Sequence, residues 1–207
     1  MDSVCLRAQK SVFESVGSSF DFVWDDFLAS LRGKVETAEP SRGESKVASV
    51  AVILKGRPTP ETLLIKRAER AGDPWSGQIA FPGGKYQVED GSLRATAVRE
   101  TREEVGIDLE TSSEFLGYYR SFRTHTGTMD VIPALFMTKK GARIRTNAEV
   151  ESCRWVSLEE ISSPKSRFTY RVRLGGVEKE VPAIRVGGYV VWGLTHRIIS
   201  SLILEVV

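Results

Sequence analysis

The stretch FPGGKYQVEDGSLRATAVRETREEVGI, residues 81–107, carries the two signals that decide how the chain is built around it. An apolar run QIAF (78–81) meets Pro82, Gly83 and Gly84, so a short strand is expected to end there in a tight turn with exposed backbone. Ser92 then offers a cap, and neither Gly nor Pro intervenes before Gly106, which predicts a helix over 92–105. Turning each residue by about 100° puts Glu100, Glu103 and Glu104 within one arc, with Ala95, Val98 and Val105 on the opposite side. Like charges at this spacing repel, and repel more strongly where they are partly buried. Two readings follow. The glutamates are a solvated face balanced by Arg99 and Arg102, or they are a bed for a hard divalent cation. Mg²⁺ or Mn²⁺ would suit such oxygen donors and retain waters that phosphate oxygens can replace. Arg99, four residues before Glu103, is placed to orient one carboxylate.

Upstream, VASVAVIL (47–54) and TLLIKR (62–67) are apolar or β-branched runs separated by GRPTPE, the pattern of a hairpin. Earlier still, FDFVWDDFLASLR (20–32) spaces Phe20, Val23, Trp24, Phe27, Leu28 and Leu31 by three and four, an amphipathic helix with Gly33 as its stop. The charged KVETAEPSRGESK that follows, with Pro40 and Gly43, reads as an exposed linker, and residues 1–19 show no clear period. The expected organisation is therefore an extension over 1–45 and a main domain over 46–207.

Downstream, FLGYYRSFR (115–123), MDVIPALFMT (129–138) and CRWVSL (153–158) are strand-like, and a GG turn divides a hairpin over 170–186. A closing helix is expected from about Trp192, with Leu194, Ile198, Leu202 and Leu204 facing the core. Strands interspersed with helices point to an α/β sandwich.

Composition narrows the function classes. Hydrophobic residues at 41% and charged residues at 27% of 207 support a folded core and argue against bulk disorder. A formal charge of +2 gives no strong nucleic-acid signal, and the alternating KSRFTYRVR fits a half-exposed hairpin better than an RNA contact. Cys5 and Cys153 alone make no disulfide framework, and no run of about 18 apolar residues would span a bilayer. A soluble, cytoplasmic protein is expected, with no membrane partner. His125 and His196 lack a serine or cysteine nucleophile with supporting partners, so both are read as structural or exposed rather than catalytic.

The 81–107 stretch resembles the signature of the Nudix hydrolases, G-x5-E-x7-R-E-U-x-E-E-x-G-U with U aliphatic. Gly84, Arg99, Glu100, Glu103, Glu104, Gly106 and Ile107 fall on it. Asp90 stands where the pattern has glutamate, one extra residue separates it from Arg99, and Thr101 replaces an aliphatic residue, so the resemblance assigns Asp90 no role. LLIKRAERAGDPWSGQIAFPGG (63–84), RTHTGTMDVIPALF (123–136) and NAEVESCRWVSL (147–158) are similar to segments of the coenzyme A pyrophosphatase-like branch. In that branch's upstream motif Ile65 replaces a threonine, and the second arginine is out of register, with Asp73 at the aligned position.

The resemblance implies a Nudix-type α/β/α sandwich with a central mixed β-sheet. It implies a Mg²⁺-dependent pyrophosphohydrolase, with Mn²⁺ as a substitute, cleaving a nucleoside diphosphate linked to another moiety, coenzyme A among the candidates. Glu100, Glu103, Glu104 and the Gly83 carbonyl would hold the metal. Arg99 would align the carboxylates, and Glu103 is the first candidate base with Glu149, on a loop, the second. Arg67 and Arg70 would hold substrate phosphate. Trp75 either stacks on a base or anchors packing. The alternatives are an ADP-ribose, nucleotide-sugar or dinucleotide pyrophosphatase, a non-catalytic nucleotide sensor, and a purely structural domain with an acidic helix. The helix at 20–32 either covers the core or joins a homodimer interface.

Overall fold

The computed structural model describes residues 20–41, 46–56, 58–73, 75–138 and 143–204. Expectations for residues 1–19, for Gly43 and for the side chains of Phe20, Val23 and Leu204 lie outside what is described. In chain order the elements are helix α1 (Phe20–Arg32), strands β1 (Lys46–Lys55), β2 (Glu61–Arg67), β3 (Ile79–Ala80) and β4 (Gly83–Lys85), and a 3₁₀ turn Val88–Asp90. Helices α2 (Leu93–Val105) and α3 (Leu109–Ser112) follow, then β5 (Ser113–Tyr118), β6 (Phe122–Arg123), β7 (Met129–Thr138) and β8 (Val150–Ser157). The last third holds α4 (Leu158–Ser162), a 3₁₀ turn Pro164–Ser166, β9 (Arg167–Leu174), β10 (Val177–Val186), β11 (Tyr189–Trp192), α5 (Gly193–Ile199) and a π turn Ser200–Leu204.

β1 organises the mixed eight-stranded sheet. One edge runs parallel to β7 from Lys46–Met129 to Leu54–Met137. The other edge is shared: β2 pairs with its C-terminal end at Leu54–Thr62, and β4 pairs with its N-terminal end at Ser49–Gly84. β3 meanwhile pairs with the far end of β2, at Ile65–Ala80. The segment Ile79–Lys85 is thus wedged between two strands that diverge from their common hairpin. β8 lines the remaining edge of β2.

Alternate residues of β1 feed two cores, as a strand buried on both faces requires. Ala51 and Ile53 meet Leu93, Ala97 and Val105 of α2 on one face. Val52 and Leu54 meet Trp24, Phe27 and Leu31 of α1 on the other, together with Ile184, Val191 and Ile198 from the C-terminal third. The three-stranded sheet β11-β10-β9 and α5 complete that second layer. The result is the expected α/β/α sandwich with a central mixed sheet.

Three local expectations are corrected. Gly83 and Gly84 form a strand rather than a turn, because β4 lies so close to β1 and α2 that only glycine fits: a Cβ on Gly83 would run into the Ser49 carbonyl and Val50, and one on Gly84 into the Glu100 carboxylate. The buried side of α2 is centred on Ala97, Thr101 and Glu104, while Ala95 is only half-buried, so one of the glutamates belongs to the core face. FLGYYRSFR is divided between two strands, β5 and β6. The closing helix starts at Gly193 with Trp192 as its N-cap, as expected, and YVVW before it forms a strand antiparallel to β10. The described part of the linker after α1, residues 34–41, is mostly exposed as expected, and it is also tied down, since Glu36 and Tyr118 exchange both backbone hydrogen bonds at 3.0 and 2.8 Å. Expected ends hold elsewhere: Ser92 Oγ accepts from the Ala95 amide, and Gly106 closes α2 at φ 73°.

Candidate active site

α2 lies against β4, and the contact is made by carboxylates. Gly83 stands opposite Val50 at a position of the β1–β4 ladder where the backbone groups face away from β1. Its N–H donates instead to Glu104 Oε2 at 2.9 Å. The Glu104 side chain is only 2% exposed, with Arg67 Nη1 4.0 Å from Oε1. Burial pushes its carboxyl up to about 7; the Gly83 amide pulls the other way, and the charges of Glu100 and Glu149 add to the rise. Glu100, one turn earlier and over Gly84, is also raised by burial, against the pull of Arg99. Glu103 differs: its side chain is 53% exposed.

Arg99 threads these groups together. Its Nη1 donates to Glu100 Oε1 at 2.8 Å and to Glu103 Oε2 at 3.4 Å. The strongest grip is elsewhere, on Asp90: Nε donates to Oδ1 at 2.7 Å and Nη2 to Oδ2 at 3.0 Å, a bidentate pair. Asp90 also accepts from Thr96 Oγ1 at 2.7 Å and the Gln87 amide at 3.0 Å. The Arg99 hydrogen bonds hold its carboxyl down at about 2. Arg99 was expected to orient Glu103; it orients Glu100 first and is itself oriented by Asp90. The signal for Asp90 was in the sequence, an acid at the signature's own position. The longer spacing to Arg99 hid it.

The two loops that border the acidic face come from β2 and β8. A bulge in the β2–β8 ladder at Lys66–Arg67 breaks the register where Arg67 leaves the sheet. Arg67 Nη2 donates to Asp73 Oδ2 at 2.8 Å, and its buried Nε has no hydrogen-bond partner among the described residues. The loop before β8 adheres to the C-terminal end of α2, where Arg145 and Asn147 amides donate to the Val105 and Glu104 carbonyls at 2.9 and 3.1 Å. This brings Glu149 close enough for its charge to raise both Glu100 and Glu104. Arg70 crosses from the other loop and donates to Glu149 Oε1 at 2.9 Å and to the Ala148 carbonyl at 3.2 Å. Arg67, Arg70, Gly83, Arg99, Glu100, Glu104 and Glu149 are thus joined by direct contacts or by charge. Trp75 stays 38% exposed on the β2–β3 loop, with its amide donating to Asp73.

Hard oxygen donors, with one buried and one half-buried carboxylate that repel each other, suit a divalent cation. Among the described residues, no three of His, Cys, Asp and Glu already stand close enough to enclose one. The cation between Glu100 and Glu103 is the Arg99 guanidinium. The donor chemistry therefore fits a metal, and the side-chain positions satisfy the same demand for positive charge from within the chain. No helix of the described residues is long and apolar enough to cross a membrane.

Comparison with known proteins identifies the surroundings of this site. The NUDIX domain pattern matches residues 45–173. The uncharacterised Nudix hydrolase NudL of Enterobacter sp. (strain 638) is 31% identical over 190 residues, covering 90% of this chain and 96% of that protein. NudL of Photorhabdus laumondii is 33% identical over 156 residues, 75% of this chain and 81% of its own. Among solved structures, a MutT/nudix family protein from Enterococcus faecalis aligns with 96% of this chain and 73% of its own at a TM-score of 0.53 and 18% identity, which establishes likeness of fold.

Proposed function

The chain belongs to the Nudix hydrolase family, and from that premise we propose that it is a Mg²⁺-dependent pyrophosphohydrolase cleaving a nucleoside diphosphate linked to another moiety, with coenzyme A the first substrate to test. The observation that carries the reading is the pair Glu100 and Glu104, the first partly and the second fully buried against the Gly83–Gly84 backbone, with both carboxyls raised and, among the described residues, no lysine or arginine nearer to Glu104 than 4.0 Å. Buried like charges are costly, and a divalent cation would reverse that cost. Glu100, Glu103, Glu104 and the Gly83 carbonyl would hold it, and Mn²⁺ could substitute. When bound, the metal supplies charge neutralisation at the pyrophosphate and lowers the pKa of water.

The chain's own residues do the rest. Arg99, fixed by Asp90, keeps Glu100 aimed along the β4 edge. Glu103, the exposed member, takes the proton from the attacking water; Glu149 at the facing loop is the second candidate. Arg67 and Arg70 offer guanidinium donors to phosphate at the rim, and the partnerless Nε of Arg67 marks a donor short of an acceptor. Coenzyme A rests on the motif over residues 63–84, and the same helix would accept ADP-ribose or a dinucleotide. On this reading residues 46–207 are the hydrolase unit, acting in the cytoplasm. A hydrolysis screen over coenzyme A, ADP-ribose, dinucleotides and nucleoside triphosphates with Mg²⁺ and Mn²⁺ tests it, with Glu100→Gln and Glu104→Gln as controls. Activity that survives both substitutions would overturn the assignment.

A further inference from the structure

The segment after α1 does more than connect. α1 packs into the core on the face of the sheet opposite α2, through Trp24, Phe27 and Leu31. From there the chain crosses the sheet edge at β5: Glu36 exchanges backbone hydrogen bonds with Tyr118, and Arg32 reaches Glu114 at 3.1 Å. Gly117 makes room for this crossing. Its φ is 139°, and a Cβ there would meet the Glu36 carbonyl at 2.9 Å and Val35 Cβ at 3.0 Å. Beyond the crossing, Glu39 arrives at the N-terminus of α2. Its Oε1 accepts from the Leu93 amide at 2.8 Å, and its Oε2 accepts from the Tyr118 hydroxyl at 2.6 Å. That hydroxyl in turn accepts from the Arg94 amide at 3.0 Å.

The first amides of a helix have no partner within it, and a carboxylate there also meets the positive end of the helix dipole. In α2 the Leu93 amide is satisfied by Glu39, the Arg94 amide by Tyr118 and the Ala95 amide by Ser92. Two of these three caps come from outside the helix, and Glu39 lies outside residues 45–173, the span that matches the family pattern. The same helix must hold Glu104 on the Gly83 amide and Glu100 over Gly84, contacts with no slack.

We propose that Glu39 is a positioning residue for the active site: through the Leu93 amide and Tyr118 it clamps the start of α2, so that the N-terminal extension sets the placement of Glu100 and Glu104 on β4. The clamp itself is independent of what the site binds; its consequence for metal affinity rests on the metal-site reading above. It runs from one helical layer to the other around the β5 edge, so the extension acts on the hydrolase unit from outside residues 46–207. Tyr118, 4% exposed, is held protonated by burial and by its hydrogen bond to Glu39, which keeps it a donor to the carboxylate.

The test uses the full chain with Glu39→Ala, Glu39→Gln and Tyr118→Phe, read by amide exchange at Leu93 and Arg94, by Mn²⁺ binding followed by electron paramagnetic resonance, and by kcat and KM. Glu39→Ala is expected to speed exchange at both amides, to weaken Mn²⁺ binding about tenfold, as loss of a supporting contact behind a ligand does, and to lower kcat with KM unchanged. Glu39→Gln retains an acceptor for the Leu93 amide and is expected to recover most of the Mn²⁺ affinity. Tyr118→Phe frees the Arg94 amide and should resemble Glu39→Ala. A folded Glu39→Ala chain with wild-type Mn²⁺ affinity and kcat overturns the proposal, whatever its melting temperature. Should that variant not fold, wild-type exchange and Mn²⁺ affinity in both Glu39→Gln and Tyr118→Phe overturn it equally. A wild-type chain that binds no Mn²⁺ counts against the metal site, and unchanged exchange and kcat in the variants would then count against the clamp.

Discussion

Glu103 and Glu104 are neighbours in sequence and live in different media. The inner carboxylates of α2, Glu104 and Glu100, press on the β4 backbone with side chains 2% and 15% exposed, and burial raises both. The outer ones, Glu103 on the helix and Glu149 on the facing loop, have side chains 53% and 48% exposed and, among the described residues, pair with Arg99 and Arg70. One residue of helix is a turn of about 100°, enough to carry a carboxylate from core to solvent. On the proposed function the difference grades the work: Glu104 and Glu100 would hold the metal in fixed positions, while the exposed Glu103, a ligand there too, is free to exchange protons with water and act as a base.

The sharpest way to break that division is to remove one charge from each side. Glu104→Gln and Glu100→Gln should each lower kcat by about a thousandfold or more at saturating Mg²⁺, the scale of losing a fixed electrostatic group in a catalytic site. Glu103→Gln should cost about a hundredfold or more, the contribution of a positioned base. Normal turnover in Glu103→Gln with saturating Mg²⁺ would remove Glu103 from that role and leave Glu149.

The inner side should also show in stability against pH. Glu104 titrates at about 7 when folded and near 4.5 unfolded, so the folded chain keeps that proton longer. Its contribution is therefore full below about pH 4.5 and is lost as pH rises through 7, by roughly 3 kcal/mol at most. Asp90 has the opposite sign. Held down at about 2 against an ordinary 3.8, it stabilises above pH 3.8 and loses that contribution, roughly 2 kcal/mol, as pH falls through 2. The metal-free chain should melt lower at pH 8 than at pH 5, Mg²⁺ should raise the melting temperature more at pH 8, and Glu104→Gln should flatten the slope. Equal melting temperatures at pH 5 and pH 8 in chelator would show that Glu104 is not the buried acid described.

Packing gives a third contrast. Gly84→Ala places a methyl against the Glu100 carboxylate and should cost about 1–3 kcal/mol, as overpacking does, with activity falling further than stability. Gly91→Ala, in the stretch between β4 and α2, meets nothing within 4 Å and bears only the strain of its φ of 71°. Thermal melts and turnover on both variants separate backbone strain from damage to the site. Similar activity losses in the two would mean that the Gly84 contact is incidental.

The sequence made α2 legible because cap, stop and carboxylates are local: Ser92, Gly106 and three glutamates at helical spacing need no knowledge of the rest. The β1–β2 hairpin and the Gly175–Gly176 turn were legible for the same reason. What stayed hidden depends on partners distant in sequence. Gly83 and Gly84 read as a turn because nothing in PGG reveals that Ser49 and Glu100 crowd them. Glu39 is one acid in a charged, apolar-poor stretch, and its partners at Leu93 and Tyr118 are known only once the chain has wrapped the sheet edge. No strand was read at Tyr189–Trp192, because an isolated apolar run has no period, and β10 decides its conformation.

The smallest expected effect lies on the outer side, at Arg70 and Glu149. The pair meets at 2.9 Å with both side chains nearly half exposed. Exposed pairs of this kind contribute about 0.2–1 kcal/mol, so Arg70→Ala should scarcely move the melting temperature. Its kinetic effect depends on which role the arginine plays. If Arg70 binds substrate phosphate, KM rises with kcat unchanged, the mark of binding shared by ground and transition states. If it serves instead to hold Glu149 as the base, kcat falls in Arg70→Ala and in Glu149→Gln, and the double variant loses no more than the worse single one. The first outcome is expected, because the Glu149 backbone is already anchored by the Asn147 side chain and by Ala68, at 2.8 Å each, and does not need the arginine to hold its loop.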